Sequence, residues 1–136
     1  MATHDLLLVE DSPADLDLIE KAFGKFDNNI EIHKTTGGEA GLEFLQKNEI
    51  PDLVILDLDM PKVDGFEFLK EIRKDEELKH LPVVVLTMSN AGEDIIKAYK
   101  RGANCCFTKP LGFEDLVDVL EDIETFWLQT AQLPED

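Results

Sequence analysis

Three stretches of this chain, Leu6–Val9, Leu53–Leu56 and Val83–Leu86, are apolar at every position. Each is too short to make a stable helix, and none has the polar alternate positions of a strand with one face in water. A strand that is apolar on both sides must be covered on both sides, which is the condition of a parallel sheet with helices on either face. Two further strands are expected. Asn29–Lys34 alternates apolar and polar residues, and Ala103–Phe107 follows a glycine stop.

The segments between the strands have helical spacing. Pro13–Phe23 places Leu16, Ile19 and Phe23 on one side. Ser12 stands as its cap, Pro13 at its first position and Asp15 in its first turn. Gly38–Lys47 and Gly65–Lys74 read as the second and third helices, the latter with Asp64 as cap and Glu67 three residues on. Glu93–Arg101 reads as a helix capped near Asn90 and stopped at Gly102. Phe113 to about Gln129 reads as the last helix, with Leu116, Leu120, Ile123 and Trp127 along one side. The order is (βα)₅, and right-handed crossovers turn it into a doubly wound α/β sheet. Such a length, 136 residues, fits one domain spanning 1–136.

Composition excludes several functions. The chain holds 13 Lys and Arg against 30 Asp and Glu, a net charge of −17. A nucleic-acid surface needs a basic stripe to displace counterions, and an anionic membrane is repelled in the same way, so neither is expected as a partner. No apolar stretch reaches the roughly 20 residues of a membrane span, and the start MATHDLLLVED lacks a basic region followed by a long apolar run. Cys105 and Cys106 are adjacent, a poor arrangement for an intrachain disulfide, and no spacing suggests zinc. A reducing cytoplasm is the expected location.

Open α/β sheets bind ligands beyond the carboxyl ends of their strands. Glu10 and Asp11 stand at the end of the first strand, Asp57 at the third, Thr87 at the fourth and Lys109 at the fifth. Three close carboxylates shift one another's pKa or recruit a cation. Oxygen-only ligands suit a hard ion, and Mg²⁺ fits. Such an ion favours phosphate chemistry, with Asp57 as a nucleophile forming an acyl phosphate and Lys109 and Thr87 as partners of the phosphoryl oxygens.

These residues, in the stretches LLLVEDSPAD, PDLVILDLDMPKVDGFEFL, PVVVLTMS and GANCCFTKP, resemble the receiver domains of two-component response regulators, and the likeness covers essentially the whole chain. It implies a flavodoxin-like fold with sheet order 2-1-3-4-5 and a phosphorelay role rather than that of a conventional enzyme. Under it Asp57 is the phosphoacceptor and Glu10 and Asp11 are the acidic metal pair. The backbone carbonyl of Asp59 is a further metal ligand, Thr87 is the switch hydroxyl and Lys109 is the phosphate-contacting lysine. Lys109–Pro110 is then expected to be cis. The implied partners are a sensor histidine kinase and either a downstream protein target or a phosphotransfer protein.

A narrower resemblance, carried by ANCCFTKP and the tail IETFWLQTAQLP, is to single-domain, phytochrome-associated regulators. It points to a phytochrome-like kinase and to a homodimer through the fourth helix, fifth strand and fifth helix. The region from about 113, with Phe126, Trp127, Leu128, Leu133 and Pro134, would extend that dimer; the alternative is a tail that folds back over its own domain. Little chain remains after Pro110 for an effector module, so output is expected either through contacts made by the domain itself or by passing the phosphoryl group on in a relay.

Three positions depart from the common pattern. Cys106 stands where most members carry an aromatic ring, leaving Phe107 or Tyr99 to substitute. Met88 follows Thr87 where a small residue is common. Asp59 lies two residues after the acceptor. A phosphatase of the haloacid dehalogenase type would also match Asp57-Leu58-Asp59, but it sets that motif on an early strand and needs a cap domain. A pseudo-receiver acting only as a binding module would be expected to lack Asp57, Lys109 or the acidic pair.

Overall fold

The computed structural model describes residues 4–26 and 29–134; residues 1–3, 27–28 and 135–136, which the single-domain reading includes, lie outside them. Five strands and five helices alternate: β1 His4–Glu10, α1 Pro13–Phe23, β2 Ile30–Thr36, α2 Gly38–Lys47, β3 Leu53–Leu56, α3 Gly65–Arg73, β4 Val83–Thr87, α4 Gly92–Lys100, β5 Cys105–Thr108 and α5 Phe113–Ile123. All strand pairs are parallel and the sheet order is 2-1-3-4-5. The doubly wound architecture expected from the apolar runs is therefore the one observed.

Successive strand side chains point to opposite faces, so each apolar run feeds two cores. Leu7, Val9, Val54, Leu56, Val83 and Val85 meet Phe68, Leu69 and Ile72 of α3 and Ala98 of α4. Leu6, Leu8, Leu53, Ile55, Val84 and Leu86 meet Leu16 and Ile19 of α1 and Leu116 and Leu120 of α5. The helix caps follow the sequence at two places. Ser12 Oγ accepts from the Asp15 N–H at 3.2 Å, and Asp64 Oδ1 accepts from the Glu67 N–H at 2.9 Å.

Three expectations are corrected. First, α4 begins at Gly92 after Ala91, which offers no side-chain cap. Instead of Asn90, Ser89 supplies the local polar contact, its Oγ donating to Asp94 Oδ2 at 2.7 Å. Second, no peptide bond among the described residues is cis, so Lys109–Pro110 is trans. The tertiary amide separates the two forms by only about 0.5–1 kcal/mol, and the dipeptide alone does not choose.

Third, the last helix is not α-helical to Gln129. After Ile123 it widens into a π-helical segment, Glu124–Thr130, in which the N–H of residue i+5 reaches the carbonyl of residue i. The Ala131 N–H donates to the Phe126 carbonyl at 2.7 Å in this pattern. The residue that follows Ile123 on the inner side is then Leu128, five positions on. Leu128 is buried, Trp127 is half-buried and Phe126 is 55% exposed. Leu133 also packs against the α1/α5-side core, and Pro134 lies beside Ile50, Leu81 and Pro82. Leu128 and Leu133 thus serve their own domain, and of the five apolar tail residues Phe126 and Pro134 are exposed, Phe126 being the large one.

Candidate functional site

β1, β3, β4 and β5 all end on one edge of the sheet, and each end delivers one polar side chain. β1 closes on Glu10. Its Oε1 accepts from the Asp11 N–H at 3.0 Å and the Ser12 N–H at 3.2 Å. Those donors turn the carboxylate back over the loop, and Glu10 is buried while Asp11 is exposed.

Asp57 follows β3, its N–H donating to the Val9 carbonyl at 3.0 Å, and its residue is only 7% exposed. The α3 N-terminus closes over this point. A Cβ on Gly65 would lie 2.6 Å from both the Asp57 carbonyl oxygen and Leu58 Cα, so only glycine fits there. Thr87 ends β4 and is buried. Lys109 is held at the end of β5 by its N–H, which donates to the Thr87 carbonyl at 2.7 Å.

These groups share one electrostatic field. Burial, and then the charge of Glu10, push the Asp57 carboxyl up to about 6, while the Lys109 charge, the Thr87 hydroxyl and the Asp59 backbone N–H act in the opposite direction. Lys109 is pulled down by burial, but the Glu10 hydrogen bond and the charges of Glu10, Asp57 and Asp15 leave it raised overall. Its Nζ pairs with Glu10 Oε2 at 2.7 Å and with Asp15 Oδ2 at 3.3 Å.

Glu10, Asp57, Thr87 and Lys109 are therefore brought together as the sequence suggested. Asp11 stands at the rim. The Asp59 side chain is exposed, and it is the backbone N–H of that residue that donates to Asp57. The donor set offered to a cation is all oxygen, and the mutual repulsion of Glu10 and Asp57 is what a divalent ion would relieve, so these residues fit a hard cation.

Among the described residues, the one trio of His, Cys, Asp or Glu whose ligand atoms all lie within 4.8 Å of one another is a different one, Asp5, Glu31 and His33, at the opposite end of β1 and β2. The His33–Asp5 contact of 3.2 Å accounts for that grouping as a surface pair.

Two site residues escaped the sequence reading in these roles. Asp15 was legible as a first-turn acid of α1 but not as a partner of Lys109. Gly65 was legible as a helix start but not as the point of closest approach to Asp57. Met88 is 60% exposed and lies with Asp15, Leu18, Lys109, Leu111 and Phe113 around a cavity of about 210 Å³ between the α1 and α5 sides. At the departing position, the Cys106 N–H donates to the Tyr99 hydroxyl at 3.1 Å. Cys106 is half-buried on the edge strand rather than enclosed, and Phe107 packs toward the α1/α5-side core, so Tyr99 is the aromatic group that reaches residue 106.

Known proteins share this sequence and fold over nearly the whole chain. The family model described as the response regulator receiver domain matches residues 6–121. The chain is 40% identical over 135 residues to response regulator Rcp1 of Synechocystis sp., covering 95% of this chain and 92% of that one. It is 41% identical over 134 residues to the probable methanogenesis regulatory protein FilR2 of Methanothrix harundinacea, covering 95% and 86%. Among solved structures, the phosphorylated cyanobacterial phytochrome response regulator RcpA superposes with a TM-score of 0.90 at 39% identity, over 98% of this chain and all of that one (100%). The Mn²⁺-bound form of Rcp1 superposes with a TM-score of 0.86 at 40% identity, over 97% and 99%.

Proposed function

The chain belongs to the response regulator receiver domain family, a family of phosphorylation-dependent signalling proteins, and from that premise we propose that Asp57 is its phosphoacceptor. The observation that carries the assignment is the surroundings of Asp57. It is a buried carboxylate with a proton affinity raised to about 6, the Thr87 hydroxyl donates to it, and the Lys109 ammonium acts on it from close by.

Even so raised, Asp57 is mostly ionised at neutral pH, and the carboxylate is the form that attacks phosphorus. In the proposed transfer a carboxylate oxygen forms the new O–P bond, the P–N bond of a kinase phosphohistidine breaks, and the departing imidazole takes its proton from water. Thr87 and Lys109 donate to the phosphoryl oxygens and replace the water that would otherwise solvate them.

Glu10, Asp11, Asp57 and the Asp59 carbonyl would hold Mg²⁺. Bound there, the ion would neutralise charge on the transferring group. The relatives' association with phytochrome supports a phytochrome-like sensor kinase as the input. We read 1–136 as a single receiver domain of the cytoplasm. We also read the face formed by α4, β5 and α5 as a homodimer surface. Exposed Ile96, Tyr99 and Phe126 lie on those elements or just beyond them, and Cys105, Phe107, Ile123, Phe126 and Trp127 border an apolar cavity of about 420 Å³. The phosphotransfer reading is tested by incubating the chain with acetyl phosphate and Mg²⁺ and measuring intact mass. One added phosphoryl group, absent in Asp57→Asn and absent in excess chelator, is expected. Equal labelling of the Asn variant would remove Asp57 from the role.

A further inference from the structure

Lys109 has two ion-pair partners, and they stand on different elements, Glu10 at the end of β1 and Asp15 in α1. Glu10, at 2.7 Å, belongs to the acidic group around Asp57. Asp15, at 3.3 Å, belongs to α1 and faces the cavity lined by Leu18, Met88, Phe113 and Leu116, which Asp57 does not border. Neither partner is loosely held. Two backbone N–H groups fix Glu10. Asp15 sits in the first turn of a helix whose start is set by the Ser12 cap and Pro13, so its carboxylate is presented by a rigid element. Lys109 itself is anchored by its backbone bond to Thr87 and its side chain is only 9% exposed. Its ammonium thus has a restricted range, and one end of that range lies toward α1.

We propose that Asp15 is a positioning residue that draws the Lys109 ammonium toward α1 in the unmodified protein, and so sets how tightly the Asp57 site takes a phosphoryl group. The inference rests on the phosphoacceptor reading above. A phosphoryl group on Asp57 needs Lys109 as a donor, and whatever holds Lys109 elsewhere competes with it. The competition is a difference between two states of the same ammonium, so removing Asp15 weakens the unmodified arrangement and favours the modified one. A partly exposed pair of this kind is worth about a five-fold change in a dissociation constant.

The test is the dissociation constant of beryllofluoride, a phosphoryl mimic, in Mg²⁺, measured by calorimetry on the full chain, with thermal melting to confirm that each variant is folded. Asp15→Asn is expected to bind about five-fold more tightly than the parent, and Asp15→Glu, which keeps the charge, to stay within about two-fold of it. The decisive arm is the pair of variants made in Lys109→Met. If Asp15 acts through the lysine, Asp15→Asn changes nothing there. If it acts only as a nearby negative charge, the gain persists without Lys109 and the positioning role is overturned. Unchanged affinity of Asp15→Asn in the parent background also overturns it. A parent protein that binds no beryllofluoride at all counts instead against the phosphoacceptor reading, which separates the two failures.

Discussion

Asp57 binds its proton more tightly in the folded chain than in an unfolded one, because burial and Glu10 both disfavour its charge. Between its ordinary value of 3.8 and its folded value of about 6 the native state holds the extra proton. Stability therefore falls as pH rises through that window, and the full cost is present above it. In chelator at pH 7.5, Asp57→Asn is expected to unfold in urea at a higher concentration than the parent, by about 1–2 kcal/mol after allowance for solvent screening. At pH 4 the two should converge. Mg²⁺ should raise the parent at pH 7.5 and leave the Asn variant nearly unmoved. A parent that loses nothing between pH 4 and pH 7.5 relative to the variant would contradict the field described for the site. Glu10, Asp57, Thr87 and Lys109 were legible in the sequence because each ends an apolar run or follows it closely, and a parallel sheet sends all such ends to one edge. The partnership of Asp15 was not legible. It depends on the angle at which α1 lies over the sheet, which residue spacing does not encode.

At the scale of elements, the least expected part is the clamp built by Arg73 at the end of α3. Its Nε donates to the Gly102 carbonyl at 2.9 Å and its two terminal nitrogens donate to the Lys79 and Leu81 carbonyls at 2.9 and 2.8 Å and to Asn104 Oδ1 at 3.0 Å. Asn104 Oδ1 in turn accepts from the Val83 N–H at 2.8 Å. Gly102, at φ +103°, completes the fit, because a Cβ there would sit 2.8 Å from Arg73. One guanidinium thus joins α3, the start of β4 and the turn before β5. Arg73→Ala is expected to cost about 2–4 kcal/mol by urea unfolding. Arg73→Lys should recover little of it, since an ammonium cannot fork to four acceptors. Recovery to within about half a kcal/mol would argue that charge alone matters.

The π-helical segment is open to the same measurement. Leu128→Ala is expected to cost about 2–4 kcal/mol, while Phe126→Ala stays within about 1 kcal/mol. A regular α-helix would instead have made Trp127 the inner residue. Apolar spacing at a period of 3.6 points to Trp127, and one widened turn moves the inner stripe by a residue.

Across the whole molecule, the doubly wound architecture follows from the apolar runs together with the handedness of crossovers, while the sheet order 2-1-3-4-5 is what the resemblance to receiver domains implies, and the observed sheet has both. What no run of residues fixes is how copies of the chain meet. A net charge of −17 opposes self-association, and salt screens that opposition. If the face of α4, β5 and α5 pairs, sedimentation equilibrium should show the dimer tightening as salt rises from about 0.1 M to 1 M, where the screening length falls from roughly 10 to 3 Å. Phe126→Ala should loosen it at every salt concentration. A chain that stays monomeric at high concentration throughout, with and without beryllofluoride, would end the dimer reading.

The division of each strand between two cores has a further consequence, in heredity. Neighbouring letters of Leu53–Leu56 or Val83–Leu86 pack in different cores against different sets of helices, and side chains with no shared packing partner are expected to act nearly independently. A lineage of this chain is therefore free to rewrite the residues under α1 and α5 without renegotiating those under α2, α3 and α4. The unit of inheritance in such a strand is every second residue.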